Sequence, residues 1–391
     1  MRRYFLLLVI IIAGSIYSSA GVTDEGIVVG PFIFKPNFSL VFEHTDNLYL
    51  QGVEGFHDNL WILRPQFQLV YPFQESNVEI TYVPIWRKYE HYHIKHKFSH
   101  FLTLQSNIVQ SSGLNIKLGD RYVRGMMEVG EIDPAKEVWW GTNRFNKNLF
   151  EAGATYDVSE RFGVNFRGSY NYLKFIDHDT PQFFFDYKTL GVGGSFAYKT
   201  SPLTSIFVSY NFIDNSAEKA YDDRNFKSHQ LLVGMQSDAT PRLKGGFQFG
   251  YERKNLNNQN LSINNFILSA DMSYEITEST RLMVNANRGT YQSAYFNAAY
   301  FRATGAAITL THQFTAKLSA SGGGLIQRND YQDTGAATRK DSVYGFNAEI
   351  GYIINTLAVV HFNYKYDKRD SNAGRQSFTQ NRLDFDVLLG W

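Results

Sequence analysis

The sequence predicts an all-β protein: a transmembrane antiparallel up-and-down β-barrel of about 18 strands, with short periplasmic turns and long extracellular loops. Three observations lead to this prediction. Apolar and polar residues alternate over most of the chain, short and long connections follow each other in turn, and the amino end resembles an export signal. Each strand of a barrel in a bilayer has one face toward lipid and one toward the lumen, which requires such alternation.

The alternation is clearest at the carboxyl end of the chain. Every second residue there is apolar, in the series Leu383, Phe385, Val387, Leu389 and Trp391. We predict that this strand closes the barrel by pairing with the first strand near Phe38, Leu40 and Phe42. A terminal aromatic strand is also the kind of signal that the barrel-assembly machinery reads in outer-membrane proteins, so this machinery is an expected partner.

The alternating segments define the individual strands. We predict strands at 37–46, 60–71, 78–87, 98–110, 114–124, 148–157, 162–173, 186–198, 204–212, 226–237, 243–252, 262–274, 281–288, 300–311, 317–327, 342–353, 357–367 and 381–391. The short joints are 72–77, 111–113, 158–161, 199–203, 238–242, 275–280, 313–316 and 355–356, and longer polar loops lie at 214–224, 329–341 and 368–380. An even number of strands places both termini on the periplasmic side.

The amino end predicts a secretory signal peptide at residues 1–20. Arg2 and Arg3 precede a short apolar run at 5–13, and small residues follow at 18–20. This pattern is typical of a cleaved signal, and the run is shorter than the roughly 20 residues of a membrane span. An uncleaved anchor is the alternative. We therefore divide the chain into the signal peptide at 1–20, a periplasmic amino-terminal segment at 21–36 and the barrel at 37–391.

Composition supports an exported barrel. Aromatic residues make up 16% of the chain, as expected where aromatic girdles line both membrane interfaces, and Cys is absent. The net charge of +1 gives no global field for nucleic acid. A mean hydropathy of −0.30 is compatible with a barrel, because each strand contributes only a weak hydrophobic signal. A period near 40 residues also fits a propeller or another soluble periplasmic β protein, although no repeated blade signature is present.

A barrel of about 16 to 18 strands leaves an aqueous channel, and basic side chains are the candidates for contact with a solute there. We assign to the lumen Arg64, Arg87, Lys117, Arg121 and Arg167. Basic groups outnumber carboxylates on this face, which favours a slight anion preference, while the many Asn and Gln residues suit a neutral polar solute. Alternatively, these side chains only solvate the wall and pair across it.

The longest connection, at 125–147, contains Trp139, Trp140 and Arg144 beside several carboxylates. A loop of this length in a compact fold is usually functional. Folded inward, it would constrict the channel and present stacking faces to a sugar. Folded outward, it would cap the barrel, with the tryptophans at the level of the headgroups.

Four histidines lie within the segment 90–100, and His91 and His93 would share one face of an extended chain. Imidazole pairs bind Zn or Cu, so these two residues are a candidate metal site. The alternative is a solvated polar loop whose lysines oppose a cation.

No nucleophile elbow, P-loop or His-Glu-x-x-His motif occurs, and we expect neither an enzyme nor a cofactor. A site assembled from distant strands would leave no such motif.

The run from Phe42 to Leu50, the segment from Ile62 to Pro65 and the hairpin at Tyr71 and Pro72 carry a family resemblance. Together with the alternation they resemble the β-barrel porin type 2 family of Gram-negative outer membranes. The resemblance implies contact with outer-membrane lipid and lipopolysaccharide, and a channel for a polar solute. It further implies exopolysaccharide export together with periplasmic export proteins. The alternative function is a barrel whose loops bind a partner in a structural or adhesive role, without an open pore.

Overall fold

The fold was analysed in a computed structural model of the chain. The structure describes residues 21–23, 26–52, 56–94, 97–110, 113–126, 143–176, 185–240, 242–257, 261–293, 298–333, 339–373 and 376–390. The predicted signal peptide at 1–20 lies outside the described residues. In the part of the chain that the structure describes, no helix is long and apolar enough to cross a membrane.

A single antiparallel sheet closes on itself to form the barrel, and a short hairpin precedes it. The strands are β1 (Gly21–Thr23), β2 (Gly26–Val29), β3 (Phe32–Thr45), β4 (Asp58–Phe73), β5 (Ser76–Tyr89), β6 (Phe98–Val109), β7 (Leu114–Met126), β8 (Arg144–Asp157), β9 (Phe162–Phe175), β10 (Tyr187–Ser201), β11 (Thr204–Ala217), β12 (Phe226–Thr240), β13 (Leu243–Leu256), β14 (Leu261–Thr277), β15 (Thr280–Gln292), β16 (Ala298–Gln313), β17 (Leu318–Asp333), β18 (Lys340–Asn355), β19 (Ala358–Ser371) and β20 (Phe378–Gly390). Each strand from β3 to β20 pairs with its neighbours in sequence, and β20 returns to pair with β3. The prediction of an 18-stranded up-and-down barrel is confirmed.

The closing pair has the predicted register. Phe385 lies opposite Phe42, Val387 opposite Leu40, and Leu389 opposite Phe38. All these side chains are on the lipid face, where Phe385 is 48% exposed in the isolated chain. On the other face, Asp384 lies opposite Glu43. The seam is therefore apolar toward lipid and polar toward the lumen, as the alternation in the sequence requires.

The same division of faces holds around the barrel. On β9, the exposed Phe162, Phe166 and Tyr170 alternate with Asn165 and Arg167, which face the lumen. The pleat of a strand sends successive side chains to opposite sides, so one register assigns every residue of the sheet to lipid or lumen.

The connections are short at one end of the barrel and longer at the other, as predicted. At the extracellular end, however, the strands run further than the alternation indicates. β11 extends to Ala217, β17 to Asp333 and β19 to Ser371, into segments that the sequence assigns to loops. Above the bilayer both faces of a strand meet polar surroundings, so hydrogen bonding continues where the apolar period ends. The connection after β11 also contains a short 3-10 helix, Lys219–Arg224.

The segment 21–36 contains a hairpin that the sequence pattern does not reveal. β1 pairs with β2, and β2 pairs with the first residues of β3, with Ile27 opposite Phe34. The last pair between β20 and β3 joins Gly390 and Asn37. β2 therefore occupies the edge of β3 below the point where β20 ends, which satisfies backbone groups that the seam leaves unpaired.

Candidate functional site

The interior of the barrel contains a cavity of about 1110 Å³, lined by residues of β5 to β15. Its charged side chains lie toward one end of this arc, on β5 to β9, and include Glu79, Lys117, Glu151 and Arg167. The register shows that these four residues share the inward face of their strands. The cavity is thus the candidate path for a solute.

On β11 to β15 the inward face of the cavity wall is uncharged and combines polar side chains with apolar ones, among them Ile213, Leu232 and Ile267. Five strands from β11 to β15 contribute the amides and hydroxyls of Asn211, Gln230, Gln248, Ser269 and Asn287. Arg288 is also at the wall, but its pairing with Leu268 places its side chain on the outer face. A surface of this kind offers hydrogen-bond donors and acceptors without a strong field.

A hydrogen bond across Gly193 joins the charged part of the wall, on β5 to β9, to the uncharged part, on β11 to β15. Arg167 on β9 reaches over β10 and donates to Oδ1 of Asn211 on β11 through Nε at 3.1 Å and Nη2 at 2.7 Å. A Cβ atom at position 193 would overlap that Oδ1 atom. Only glycine therefore lets the guanidinium lie flat across the wall, and the bond leaves the neutral surface beyond it unobstructed.

A second charged region lies at the closing seam, on β19, β20, β3 and β4. Ser39 donates to Asp386 at 2.7 Å, and Arg382 lies 3.7 Å from Asp367. Arg382, Lys365 and Arg64 all interact electrostatically with Asp384. Since both signs are present on the same strands, the seam compensates its own charge instead of presenting one sign to the lumen.

The described residues of two extracellular loops pack against the inward face of the wall at the mouth, beside this seam. In loop L1 (described at 46–52 and 56–57) and loop L2 (described at 90–94 and 97), Leu48 and Ile94 join an apolar cluster with inward residues of β3, β4 and β5. Tyr49 packs edge-on against Phe56 and Tyr92, with 5.1 Å between ring centroids in both pairs. Burial raises the pKa of the Tyr49 phenol, with smaller contributions from Tyr92 and Asp58. The cluster excludes water from this side of the mouth.

Asp58 holds L2 in this position. Its side chain is fully buried, and its carboxylate accepts hydrogen bonds from the backbone N–H groups of Asn59, Glu90, His91 and Tyr92 at 2.8 to 3.3 Å. Nδ1 of His91 lies 3.0 Å from the same carboxylate. One side chain thus satisfies most of the backbone donors of the turn that begins L2.

Asn47 has the corresponding role in L1. Its side-chain amide donates to the carbonyls of Gln51 and Thr379, at 2.7 and 2.9 Å, which ties the loop to β20. Gln380 on β20 donates back to the Asn47 carbonyl at 2.8 Å. Leu50 has a φ of 50°, a left-handed conformation that is costly for a branched side chain. The contacts of L1 with the barrel wall maintain this conformation.

A buried ionic group lies at the opposite side of the mouth. Glu252 and Lys254 are each 1% exposed, and Nζ of Lys254 lies 3.9 Å from Oε1 of Glu252 and 4.3 Å from the centre of the Phe226 ring. Glu252 accepts hydrogen bonds from Ser228 at 2.6 Å and from Thr290. Pairing between β14 and β15 ends at Leu268 and Arg288, although β15 stays paired with β16 up to Gln292. The bond to Thr290 therefore connects β13 to the part of β15 that is no longer paired with β14.

The lumen residues predicted from the sequence occupy different environments. Lys117 and Arg167 line the cavity, and Arg121 lies on the same inward face above Lys117. Arg64 belongs to the charged seam. Arg87 is 4% exposed, near the apolar cluster at the mouth, and donates to Ser99 at 3.1 Å. The cavity therefore collects Lys117 and Arg167 but not Arg64 or Arg87.

The remaining candidates lie at the extracellular end. Trp139 and Trp140 are outside the described residues, and Arg144 begins β8. His91 contacts Asp58, and its ring lies 5.3 Å from that of His57, whereas His93 is exposed. In the described ranges no three His, Cys, Asp or Glu residues are gathered as metal ligands. The metal site at His91 and His93 stays a prediction.

The alternation in the sequence did not single out Asp58, Asn47, Glu252 or Lys254. Asn47 lies beyond the end of β3, Asp58 begins β4, and Glu252 and Lys254 lie near the end of β13, where the period-two pattern fades. The sequence does contain one sign of the ionic group: Glu252 and Lys254 are charged and continue the inward face of β13 after Gln248 and Gly250. Two opposite charges on the same inward face indicate an ion pair, but they do not indicate that Glu252 also binds Thr290 on β15.

A closed barrel with an apolar outer band and a polar cavity defines a porin-like outer-membrane channel. The family model described as "Putative beta-barrel porin 2" matches residues 22–389, and the chain belongs to this family.

Several solved structures are similar to this chain, and one of them, with a TM-score of 0.50, shows the same fold. OccK2 (OpdF) from Pseudomonas aeruginosa, solved in complex with glucuronate, is 12% identical and has a TM-score of 0.50 over 91% of this chain and 98% of that one. OpdK from Pseudomonas aeruginosa is 10% identical, with a TM-score of 0.48 over 92% and 99% of the two chains. OpdQ from the same organism is 11% identical, with a TM-score of 0.49 over 92% and 98%. At these identities the likeness concerns the fold. No curated protein matches the sequence.

Proposed function

We propose that this channel passes a saccharide, and that the uncharged wall of β11 to β15 is the surface along which the sugar moves. The observation that carries the proposal is the row of amides and hydroxyls from Asn211 to Asn287 in the cavity. Sugar hydroxyls are both donors and acceptors, and side-chain amides and hydroxyls match them in both respects. A strongly charged wall would instead select ions.

The distribution of charge supports a neutral or weakly charged sugar. Arg167 is engaged with Asn211, and the acidic and basic groups of the seam compensate each other. The cavity volume of about 1110 Å³ is large enough for several sugar residues. We extend the proposal to exopolysaccharide in export, with periplasmic export proteins as partners, because the family resemblance implies that role.

Conductance of the purified protein in planar bilayers tests the channel. We expect ion current that maltooligosaccharides reduce in a concentration-dependent manner. If no current is observed for the full chain or for a variant lacking residues 128–143, the channel proposal is wrong.

Two substitutions test the role of the uncharged wall. Gln248→Glu replaces an amide donor by a hydrated carboxylate, and the lost hydrogen bond is worth roughly 1 kcal/mol. We expect the oligosaccharide concentration for half-block to rise about fivefold. Gln105→Glu, at the charged part of the same cavity, is the matched control and should change it little. An equal change in both variants would contradict a specific path along β11 to β15.

A barrel without an open pore, whose loops bind a partner, is the second candidate function. The apolar cluster of L1 and L2 favours it, because these loops already close one side of the mouth. Conductance, measured together with saccharide binding, separates the two functions. A protein that binds a saccharide but carries no current supports the second function.

A further inference from the structure

The outer surface of the barrel is strongly basic over one sector at the extracellular end. We propose that this sector, which we call the arginine sector, binds the phosphate groups of lipopolysaccharide in the outer leaflet. Its members lie on β12, β13, β15, β16 and β17 and are Lys227, Arg253, Arg288, Arg302 and Arg328. The inference concerns the lipid face of the barrel and does not depend on the solute that passes through the lumen.

The register places these side chains toward lipid. Arg253 follows Tyr251 on the same face of β13, and Arg328 follows Ile326 on the same face of β17. Tyr251 is 52% exposed and Ile326 is 61% exposed, as expected for residues that face the bilayer. Two residues along a strand correspond to about 7 Å. The basic groups therefore lie one step above the apolar band, at the level of the headgroups.

Three of the arginines form a compact group. Nη1 of Arg288 donates to Oγ1 of Thr304 at 3.1 Å, and Thr304 lies opposite Arg328 on the next strand. Arg302 and Arg328 share Asp330, at 3.4 and 3.1 Å. Among the described strand residues of this sector, Asp330 is the one acidic side chain on the outer face, so the group keeps an excess of positive charge. Guanidinium groups so arranged match the geometry of phosphate oxygens.

The strands beyond the sector, from β19 through the closing seam to β4, lack this excess. On β19, Lys368 is paired with Asp370 at 3.0 Å. On β20, Asn381 donates to Asp46 at 2.6 Å, and His44 on β3 lies 2.8 Å from Asn59 on β4. The arginine sector therefore carries more positive charge than these neighbouring strands. Single outer-face basic residues also occur on other strands, among them Lys88 on β5, Arg124 on β7 and Lys174 on β9.

The two membrane interfaces also differ. At the periplasmic ends of β13 to β16, the described strand residues of the outer face include Leu243, Tyr274, Leu282 and Leu310 and no Lys or Arg. Anionic phospholipid at both interfaces would favour basic groups at both ends of the strands. Basic groups at the extracellular end alone fit the phosphorylated glycolipid of the outer leaflet.

Binding of lipid A to the full-length protein in detergent, measured by native mass spectrometry, tests the proposal. We expect lipid A with both phosphates to bind at least tenfold more tightly than its dephosphorylated form, and high salt to reduce the difference. Equal affinity for the two forms would overturn the proposal. Equal affinity for phosphatidylglycerol and lipid A would also overturn it, since the surface would then recognise any anionic lipid.

The variant Arg288→Gln, Arg302→Gln, Arg328→Gln tests the location. At about 1 kcal/mol for each basic group near a lipid headgroup, the affinity for phosphorylated lipid A should fall about a hundredfold. Lys88→Gln with Lys174→Gln removes outer-face charges outside the arginine sector and should leave the affinity within about threefold of the wild type. A similar loss in both variants would overturn the assignment. Should the triple variant fail to fold, Arg328→Gln alone, at a side chain 59% exposed, should weaken binding about fivefold.

Discussion

Single buried carboxylates organise both sides of the channel mouth. Asp58 accepts the backbone donors that begin L2, and Glu252 connects β13 to the end of β15 that is no longer paired with β14. A charge in such a position is stable only when several donors surround it. Substitution of either residue should therefore disturb the structure around it.

Asp58→Ala should release L2 from the mouth. The substitution leaves the backbone N–H groups of His91 and Tyr92 without the Asp58 acceptor, at a cost of about 2 kcal/mol for the docked loop. Faster hydrogen exchange of these amides and a larger single-channel conductance are the expected results. His91→Ala removes one half-exposed contact and is the control. Unchanged exchange in Asp58→Ala would mean that the apolar cluster alone holds the loop.

Glu252→Gln should destabilise the barrel more than Glu252→Gln combined with Lys254→Met. The single change leaves the Lys254 ammonium buried without its counter-charge, at a cost of about 3 to 5 kcal/mol, and the double change removes both charges. The measurement is the free energy of unfolding in urea, from refolding into lipid vesicles. A double variant that is less stable than the single one would show that the pair itself is net stabilising.

At the scale of the strand, the sequence carries almost all the information that the barrel needs. Strand positions, faces and the closing register followed from alternation, because lipid and lumen impose opposite requirements on neighbouring residues. The ends of the strands above the bilayer and the hairpin of β1 and β2 did not follow from the alternation, because both faces of these segments meet similar surroundings. Among the candidate site residues, the alternation of faces along each strand was enough to place Lys117 and Arg167 in the lumen. It did not indicate that Arg87 is buried.

Phe207→Ala should weaken the contact between β11 and β12. Phe207 lies opposite Gly234, and a Cβ atom at position 234 would overlap its ring, so the ring covers the glycine. A cross-strand contact of this kind contributes up to about 1 kcal/mol. We expect the free energy of unfolding to fall by about this amount. Phe207→Leu, which retains an apolar side chain, should lose less, and equal losses would contradict a specific role for the aromatic ring.

For the whole molecule, the barrel is apolar outside and polar inside, the reverse of a soluble domain. Neighbouring residues of one strand therefore respond in opposite ways to the same substitution. Phe346 and Asn347 lie in the middle of β18, where Phe346 is 49% exposed toward lipid and Asn347 faces the lumen, opposite Gly323. An arginine costs about 2 to 4 kcal/mol on the lipid face near the bilayer midplane, whereas in a water-filled lumen its charge remains hydrated.

Phe346→Arg should therefore lower the free energy of unfolding in vesicles by about 2 to 4 kcal/mol, in addition to the loss of the aromatic ring. Asn347→Arg should leave stability nearly unchanged and instead shift the reversal potential toward anion selectivity, because a new positive charge enters the lumen. The two variants differ by one position and carry the same new side chain, so the properties of the introduced arginine cancel in the comparison. Similar destabilisation of both, beyond the loss of the aromatic ring, would mean that the lumen beside β18 is packed instead of hydrated.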